Sequence, residues 1–199
     1  MWAGGKWVET NPDRFVRAAL VFYALVLGLA LVISLLSGHP LLYAGAPGGA
    51  AGAGASIDWL RDPLVGLLAA AVVIGLSEAL TATTRWGEAL ARALAELLGP
   101  LSLRDCVVLA AASGVAEEAL FRGALQPLLG WVGASLLFGA AHFVPRRELL
   151  PWTLFSLAAG FGLGWLYQHT GNLVAPVVAH AGVNAVNLRR LTRRPRATG

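Results

Sequence analysis

Residues 15–36 form an apolar run long enough to cross a bilayer, and similar runs recur down the chain. A hydrocarbon core takes about 20 apolar residues of helix, and every backbone polar group inside it must be satisfied internally. Such runs are therefore restricted to α-helices. Composition agrees, with 57% of the 199 residues hydrophobic and 13% charged, against about 25% charged in a soluble domain. The chain reads as all-α: one integral membrane domain over residues 1–199, built as a polytopic transmembrane helix bundle.

The further runs are residues 63–80, 105–129, 131–144, 151–167 and 173–188, giving about six spans. Gly130 separates the third from the fourth as a short turn. The fourth is short for a full crossing, which predicts a tilt or an end in a water-filled cavity. Residues 1–14 read as an arm with Trp2 and Trp7 near the interface. Residues 39–62, rich in Gly and Ala, read as a flexible loop in which His39 has no role. Ala44-Gly45-Ala46 resembles a signal-peptidase site, but the run before it is too long and too far from the start, so the first span is kept as uncleaved. Glu78 is expected to be solvated at the end of the second span. Residues 88–98, with Arg85, Arg92 and Glu96 alternating with Leu and Ala nearby, predict an interfacial amphipathic helix. Gly160, Gly162 and Gly164 predict close helix contact, and residues 168–172, including His169, a tight loop.

Fourteen of the fifteen basic residues are Arg. They fall at span ends, so the net charge of +4 reads as topology anchoring and not as nucleic-acid binding. Lys6, Arg14, Arg85, Arg92, Arg104, Arg146, Arg147 and the C-terminal arginines fall on one side of an alternating six-span path. The positive-inside rule then places both termini in the cytoplasm. The abundance of Arg, Ala and Gly suits the cell membrane of a prokaryote. The single cysteine, Cys106, excludes an intrachain disulfide and a multi-cysteine metal site, and reads as a core residue.

Against this apolar background, Gly114-Val-Ala-Glu-Glu-Ala-Leu-Phe-Arg-Gly123 is exceptional. Ionisable groups at bilayer depth are costly, and three together point to function. In a helix Glu118 and Arg122 share a face, while Glu117 is turned by about 100°. One carboxylate can be held by the guanidinium and the other left free for chemistry. Two later patterns add polar groups one turn apart: Phe138-x-x-x-His142 and His180-x-x-x-Asn184, with Asn187 beyond. At helical rise Glu117 lies about 18 Å from Asp105 and His142 close to Pro145, so a tilt or a late membrane entry must bring them level.

Peptide hydrolysis needs an activated water and donors for the tetrahedral oxyanion. Glu117 with His142 can orient a water and take its proton. His180 and Asn184 can donate to the oxyanion, and Glu118 with Arg122 can supply a fixed ion pair beside them. Phe138 reads as packing. Taken singly, each His or Asn could be interhelical glue, and Ser113 reads as helix packing. The full set could also serve a non-catalytic immunity or scaffold protein, or a transporter using Glu117 or Glu118 as a proton carrier. Glu117, His142 and His180 are acceptable zinc ligands, but their spacing does not demand an ion, so no cofactor is expected. No His-Glu-x-x-His pair is present, nor a Gly-x-Gly-Asp motif.

The ordered set Glu117-Glu118-x-x-x-Arg122, Phe138-x-x-x-His142 and His180-x-x-x-Asn184 resembles the CAAX protease and bacteriocin-processing family, also called the type II CAAX endopeptidase or Abi family. The resemblance covers residues 102–188, a motif-bearing core. It implies a glutamate-dependent intramembrane endopeptidase acting on membrane-associated proteins or peptides near the cytoplasmic face. Glu117 and His142 would activate water, His180 and Asn184 would form the oxyanion site, and Glu118 and Arg122 would support the first group. Known members remove the last three residues of prenylated CAAX proteins, or are linked to bacteriocin maturation or self-immunity.

Overall fold

The computed structural model describes residues 12–43 and 56–193, together with the backbone of a two-residue antiparallel ribbon, Trp2–Ala3 with Lys6–Trp7. Most of the expected N-terminal arm, the middle of the Gly/Ala loop with Ala44-Gly45-Ala46, and Arg194 and Arg196 lie outside the described residues. Everything else of substance is helix. Helix α1 (Pro12–Ser37) opens with proline at its first position, where a missing N–H costs nothing. It is followed by α2 (Arg61–Thr83), α3 (Arg85–Leu98) and α4 (Leu103–Glu118). A π-helical segment, Ala119–Leu125, continues α4 directly into α5 (Gln126–Ala141). A 3₁₀ turn, Arg147–Leu149, leads to α6 (Leu150–Thr170) and α7 (Val174–Thr192).

Helix ends are set by local chemistry. Before α4, Ser102 Oγ accepts from the Asp105 N–H at 3.1 Å and the Asp105 carboxylate accepts from the Ser102 N–H at 3.0 Å. This reciprocal pair satisfies two donors that the first turn leaves free. Thr84 caps α3 through the Gly87 N–H. Asp58 accepts from the amides of Leu60 and Arg61 ahead of α2, which holds its carboxyl below the usual carboxylate range. Gly171, with φ of 73°, ends α6 in the left-handed conformation that glycine adopts freely.

Large apolar side chains lie on the outside of this bundle, among them Phe22, Leu25, Leu35, Leu36, Val72 and Leu154. Only Ala30 is buried on α1. An outward apolar surface is what lipid requires and water forbids, so the fold is that of an all-α membrane helix bundle. Four stretches of the described residues are long and apolar enough to cross a membrane: Pro12–Ser37, Arg61–Thr83, Leu103–Ala141 and Arg147–Thr170. The expected third and fourth spans thus appear as one stretch of 39 residues. It is broken at Gly130, whose φ of 72° and ψ of 169° are not helical, at the position read as a turn. Helix α7 falls short of the same hydropathy because His180, Asn184, Asn187 and its arginines dilute it.

Some local expectations are corrected. Helix α6 runs on to Thr170, so His169 is helical and stacks on Trp165 at 3.8 Å. The amphipathic helix begins three residues earlier than expected, at Arg85. Glu78 is not merely solvated, since its carboxylate pairs with Arg190 of α7 at 2.5 Å. Gly160 and Gly164 do sit against α5, but Gly162 meets nothing within 4 Å. Cys106 is a free, fully buried core residue, as read.

Helix α7 is packed between α2 and α4 through small residues. A Cβ on Gly66 would lie 2.6 Å from the Ala175 carbonyl oxygen, and one on Gly114 would lie 3.0 Å from the Ala181 amide. At the end where α2 and α7 begin, buried Asp62 accepts from Asn172 Nδ2 at 2.6 Å and from the Asp58 N–H at 3.0 Å. The Leu173 N–H donates to the Leu42 carbonyl at 3.0 Å. These bonds tie three connections together at that end of the bundle.

Gly66→Val should lower stability by roughly 1–3 kcal/mol, since overpacking against a backbone carbonyl has no easy relief. Gly28→Ala, where nothing lies within 4 Å, should leave the unfolding temperature in detergent unchanged or raised. Thermal unfolding of both variants checks the pair.

Candidate active site

Glu117 and Glu118 are the last residues of regular α4, and Arg122 lies in the π segment that follows. The wide turn has a local cause. Pro127 has no N–H to give to the Gly123 carbonyl, and the Gln126 N–H reaches back five residues to the Phe121 carbonyl. Single wide turns of this kind recur at functional sites. Within this one, Arg122 remains over Glu118, as the four-residue spacing predicted.

Arg122 and Glu118 are the two most enclosed charges of the chain's described part, with 1% and 0% of their side chains exposed. Arg122 Nε lies 3.1 Å from one Glu118 oxygen and its Nη1 donates to the other at 3.3 Å. Its Nη2 donates to the Gly160 carbonyl of α6 at 2.9 Å, and the guanidinium lies 4.5 Å from the Phe138 ring centroid. From α7, His180 Nδ1 meets Glu118 at 2.7 Å. Glu118 is thus the hub of the cluster, held by cationic or polar groups from the π segment and α7.

Glu117 faces the other way, as the helical offset requires. Its Oε2 lies 3.5 Å from His142 Nε2 and, although buried, has no hydrogen-bond partner among the described residues. His142 is the residue at which α5 stops. Its Nδ1 lies 2.8 Å from the Phe138 carbonyl, which can only accept, so Nδ1 carries the proton. In a neutral ring Nε2 then presents a lone pair toward the carboxylate. Two acceptors facing each other are complementary to a molecule that donates to both. The depth problem posed by sequence position is resolved, because the end of α5 and the middle of the long α4–α5 stretch meet directly.

Phe138 is the spacer of the site, 4.5 Å from the His142 ring, 6.1 Å from the His180 ring and 5.0 Å from Phe121. Trp152 covers His142 from α6 at 5.9 Å, and Thr153 Oγ1 donates to the His142 carbonyl at 3.2 Å. Asn184 is placed differently from the sequence reading. Its Nδ2 donates to Ser113 Oγ at 2.9 Å, and Ser113 in turn donates to the Ala110 carbonyl. His180 likewise spends Nδ1 on Glu118. The four expected residues therefore form two hydrogen-bonded branches, one through Glu118 and one through Ser113, beside the Glu117–His142 pair. Among the described residues, no three His, Cys, Asp or Glu side chains converge as a metal-holding group.

Two participants were not legible in the sequence. Ser113 was read as packing but holds Asn184. Tyr23, on α1, brings its hydroxyl against Ser113 with Glu117 close by. A tyrosine in an apolar run carries no local signal, and only the contact between α1 and α4 reveals it.

Residues 99–186 match the family model described as type II CAAX prenyl endopeptidase Rce1-like. This segment is Rce1-like. The Rce1-like segment contains Glu117, Glu118, Arg122, Phe138, His142, His180, Asn184 and Ser113, whereas Tyr23 lies outside it. The chain is also similar to the uncharacterized protein YpbD of Bacillus subtilis (strain 168), at 49% identity over 73 residues. That match covers 36% of this chain and 37% of the relative, so it spans little more than a third of either. No solved structure matches the chain.

Arg122→Met should destabilise the protein by about 3–5 kcal/mol, because it leaves the Glu118 charge buried without its guanidinium. Adding Glu118→Gln should recover part of that loss. Denaturation of the single and double variants in detergent checks the sign of the coupling.

Proposed function

We propose that the protein is an intramembrane endopeptidase that hydrolyses a peptide bond of a membrane-associated protein or peptide near the cytoplasmic face. The observation that carries this reading is the Glu117–His142 pair: a buried carboxylate oxygen without a hydrogen-bond partner, 3.5 Å from an imidazole of another helix. The neighbouring carboxylate is already occupied by Arg122 and His180. The Rce1-like match and the membrane fold support protease chemistry at this place.

In this mechanism a water lies between Glu117 and His142. Its oxygen attacks the peptide carbonyl carbon as its proton passes to the carboxylate, and the C=O pair moves onto oxygen. Asn184 offers the N–H of its amide that Ser113 does not use. His180 donates from Nε2, which requires protons on both ring nitrogens, one held by Glu118. Collapse of the intermediate breaks the C–N bond, and the proton taken up by Glu117 goes to the leaving amine. No metal is needed for any of these steps. Loss of activity with phenanthroline and rescue by zinc would instead favour Glu117, His142 and His180 as ligands. The arginine distribution supports both termini in the cytoplasm across about six spans, and composition supports the cell membrane of a prokaryote.

One observation favours a second reading. His180 and Asn184 both have hydrogen-bond partners already, Glu118 and Ser113, which is what helix-joining residues of a non-catalytic immunity or scaffold protein would do. Turnover separates the two. Purified protein in liposomes should cleave membrane-anchored reporter peptides. Glu117→Ala and His142→Ala should each lower the rate by about 10²–10⁴-fold, the usual contribution of general acid–base groups, with the unfolding temperature preserved. Full activity in either variant removes the mechanism.

A further inference from the structure

The Rce1-like segment begins at residue 99, yet one wall of the site comes from α1. Tyr23 is partly buried there, with its hydroxyl against Ser113 and with Glu117 close by. Ser113 is itself 3% exposed. Its hydroxyl proton goes to the Ala110 carbonyl at 3.1 Å, and one lone pair takes the Asn184 Nδ2–H at 2.9 Å. A hydroxyl has one proton and two lone pairs, so the place left for Tyr23 is as a donor to the second lone pair.

That arrangement has a consequence for Asn184. A serine hydroxyl is free to rotate, and a carboxamide can present either its oxygen or its nitrogen. With the Ser113 proton spent on Ala110 and Tyr23 donating from the other side, Ser113 can only accept from Asn184. The amide is thereby fixed with nitrogen toward Ser113, and its second N–H stays available as a donor. Without the Tyr23 donor, Ser113 could turn its proton to Asn184 Oδ1 and let the amide flip. An acceptor would then stand where the oxyanion needs a donor.

We infer that Tyr23 is a positioning residue that fixes the orientation of the Asn184 amide through Ser113, so that α1 completes a site whose other groups all lie in the Rce1-like segment. Its part in turnover rests on the protease reading. Its effect on the amide does not, and the two are measured separately.

The chain has four asparagines, Asn11, Asn172, Asn184 and Asn187, so ¹⁵N-asparagine labelling of the full chain gives few side-chain amide signals, and Asn184→Ala assigns the one of interest. Tyr23→Phe is expected to shift the Asn184 amide resonances while leaving those of Asn172, at the far end of α7, in place as a report of intact fold. Ser113→Ala should shift the Asn184 signals too, and Tyr23→Phe added to it should change nothing more. An unmoved Asn184 signal in folded Tyr23→Phe overturns the inference. Should that variant fail to fold, Ser113→Ala decides in the same way. In liposomes, Tyr23→Phe should lower kcat about tenfold, the effect of roughly one hydrogen bond's free energy, with KM unchanged and no further loss on an Asn184→Ala background. Equal losses on both backgrounds overturn the route through Asn184. Turnover that survives Glu117→Ala, or its absence in the native protein, overturns the protease reading and Tyr23's part in it, while the amide signals still decide the orientation.

Discussion

Everything around the site depends on the enclosure of one carboxylate. Glu118 is fully buried in a membrane bundle, and an ion in that setting is tolerated only with its charge and lone pairs answered. Arg122 supplies the charge, and His180 supplies a hydrogen bond from a second helix. Arg122 then passes the constraint outward, to the Gly160 carbonyl on α6 and to the face of Phe138 on α5. The cluster thereby sets α4, α5, α6 and α7 relative to one another, and Glu117 and His142 face each other within the frame it creates.

The division of labour between adjacent glutamates follows from helix geometry alone. Successive residues point about 100° apart, so Glu118 can be saturated while Glu117 has room beside an imidazole. The histidines are oriented by what their Nδ1 atoms touch, a backbone carbonyl for His142 and a carboxylate for His180. Aromatic packing completes the arrangement, since Phe138 lies beside both rings and beneath the guanidinium.

How far the sequence could be read depended on the range of each interaction. The apolar runs, the Gly130 break, the capping residues and the Glu118–Arg122 spacing are local, and each was recoverable from neighbours within a turn or two. Pairings between distant residues were not. That His180 would meet Glu118, and not stand beside Asn184 in an open pocket, depends on the rotation of α7 against α4. The buried Asp62–Asn172 pair joins residues more than a hundred positions apart, and nothing near Asp62 announces a partner. Tyr23 was hidden for the opposite reason, because an aromatic in a lipid-facing run is ordinary until its hydroxyl is seen to have company. Gly162 failed as a packing residue because alternate glycines on a helix point to different sides.

The wide turn at Ala119–Leu125 has a consequence for how this segment can change over time. A π turn is equivalent to one surplus residue carried within a continuous helix, stabilised here next to a proline. Removing one residue there would restore ordinary winding and swing the whole downstream rod, His142 included, by about 100° about its axis. Point substitutions along this stretch can be absorbed one side chain at a time, but an indel cannot, because it re-aims every later group at once. The spacing between the paired glutamates and His142 should therefore be the most length-intolerant interval in the chain.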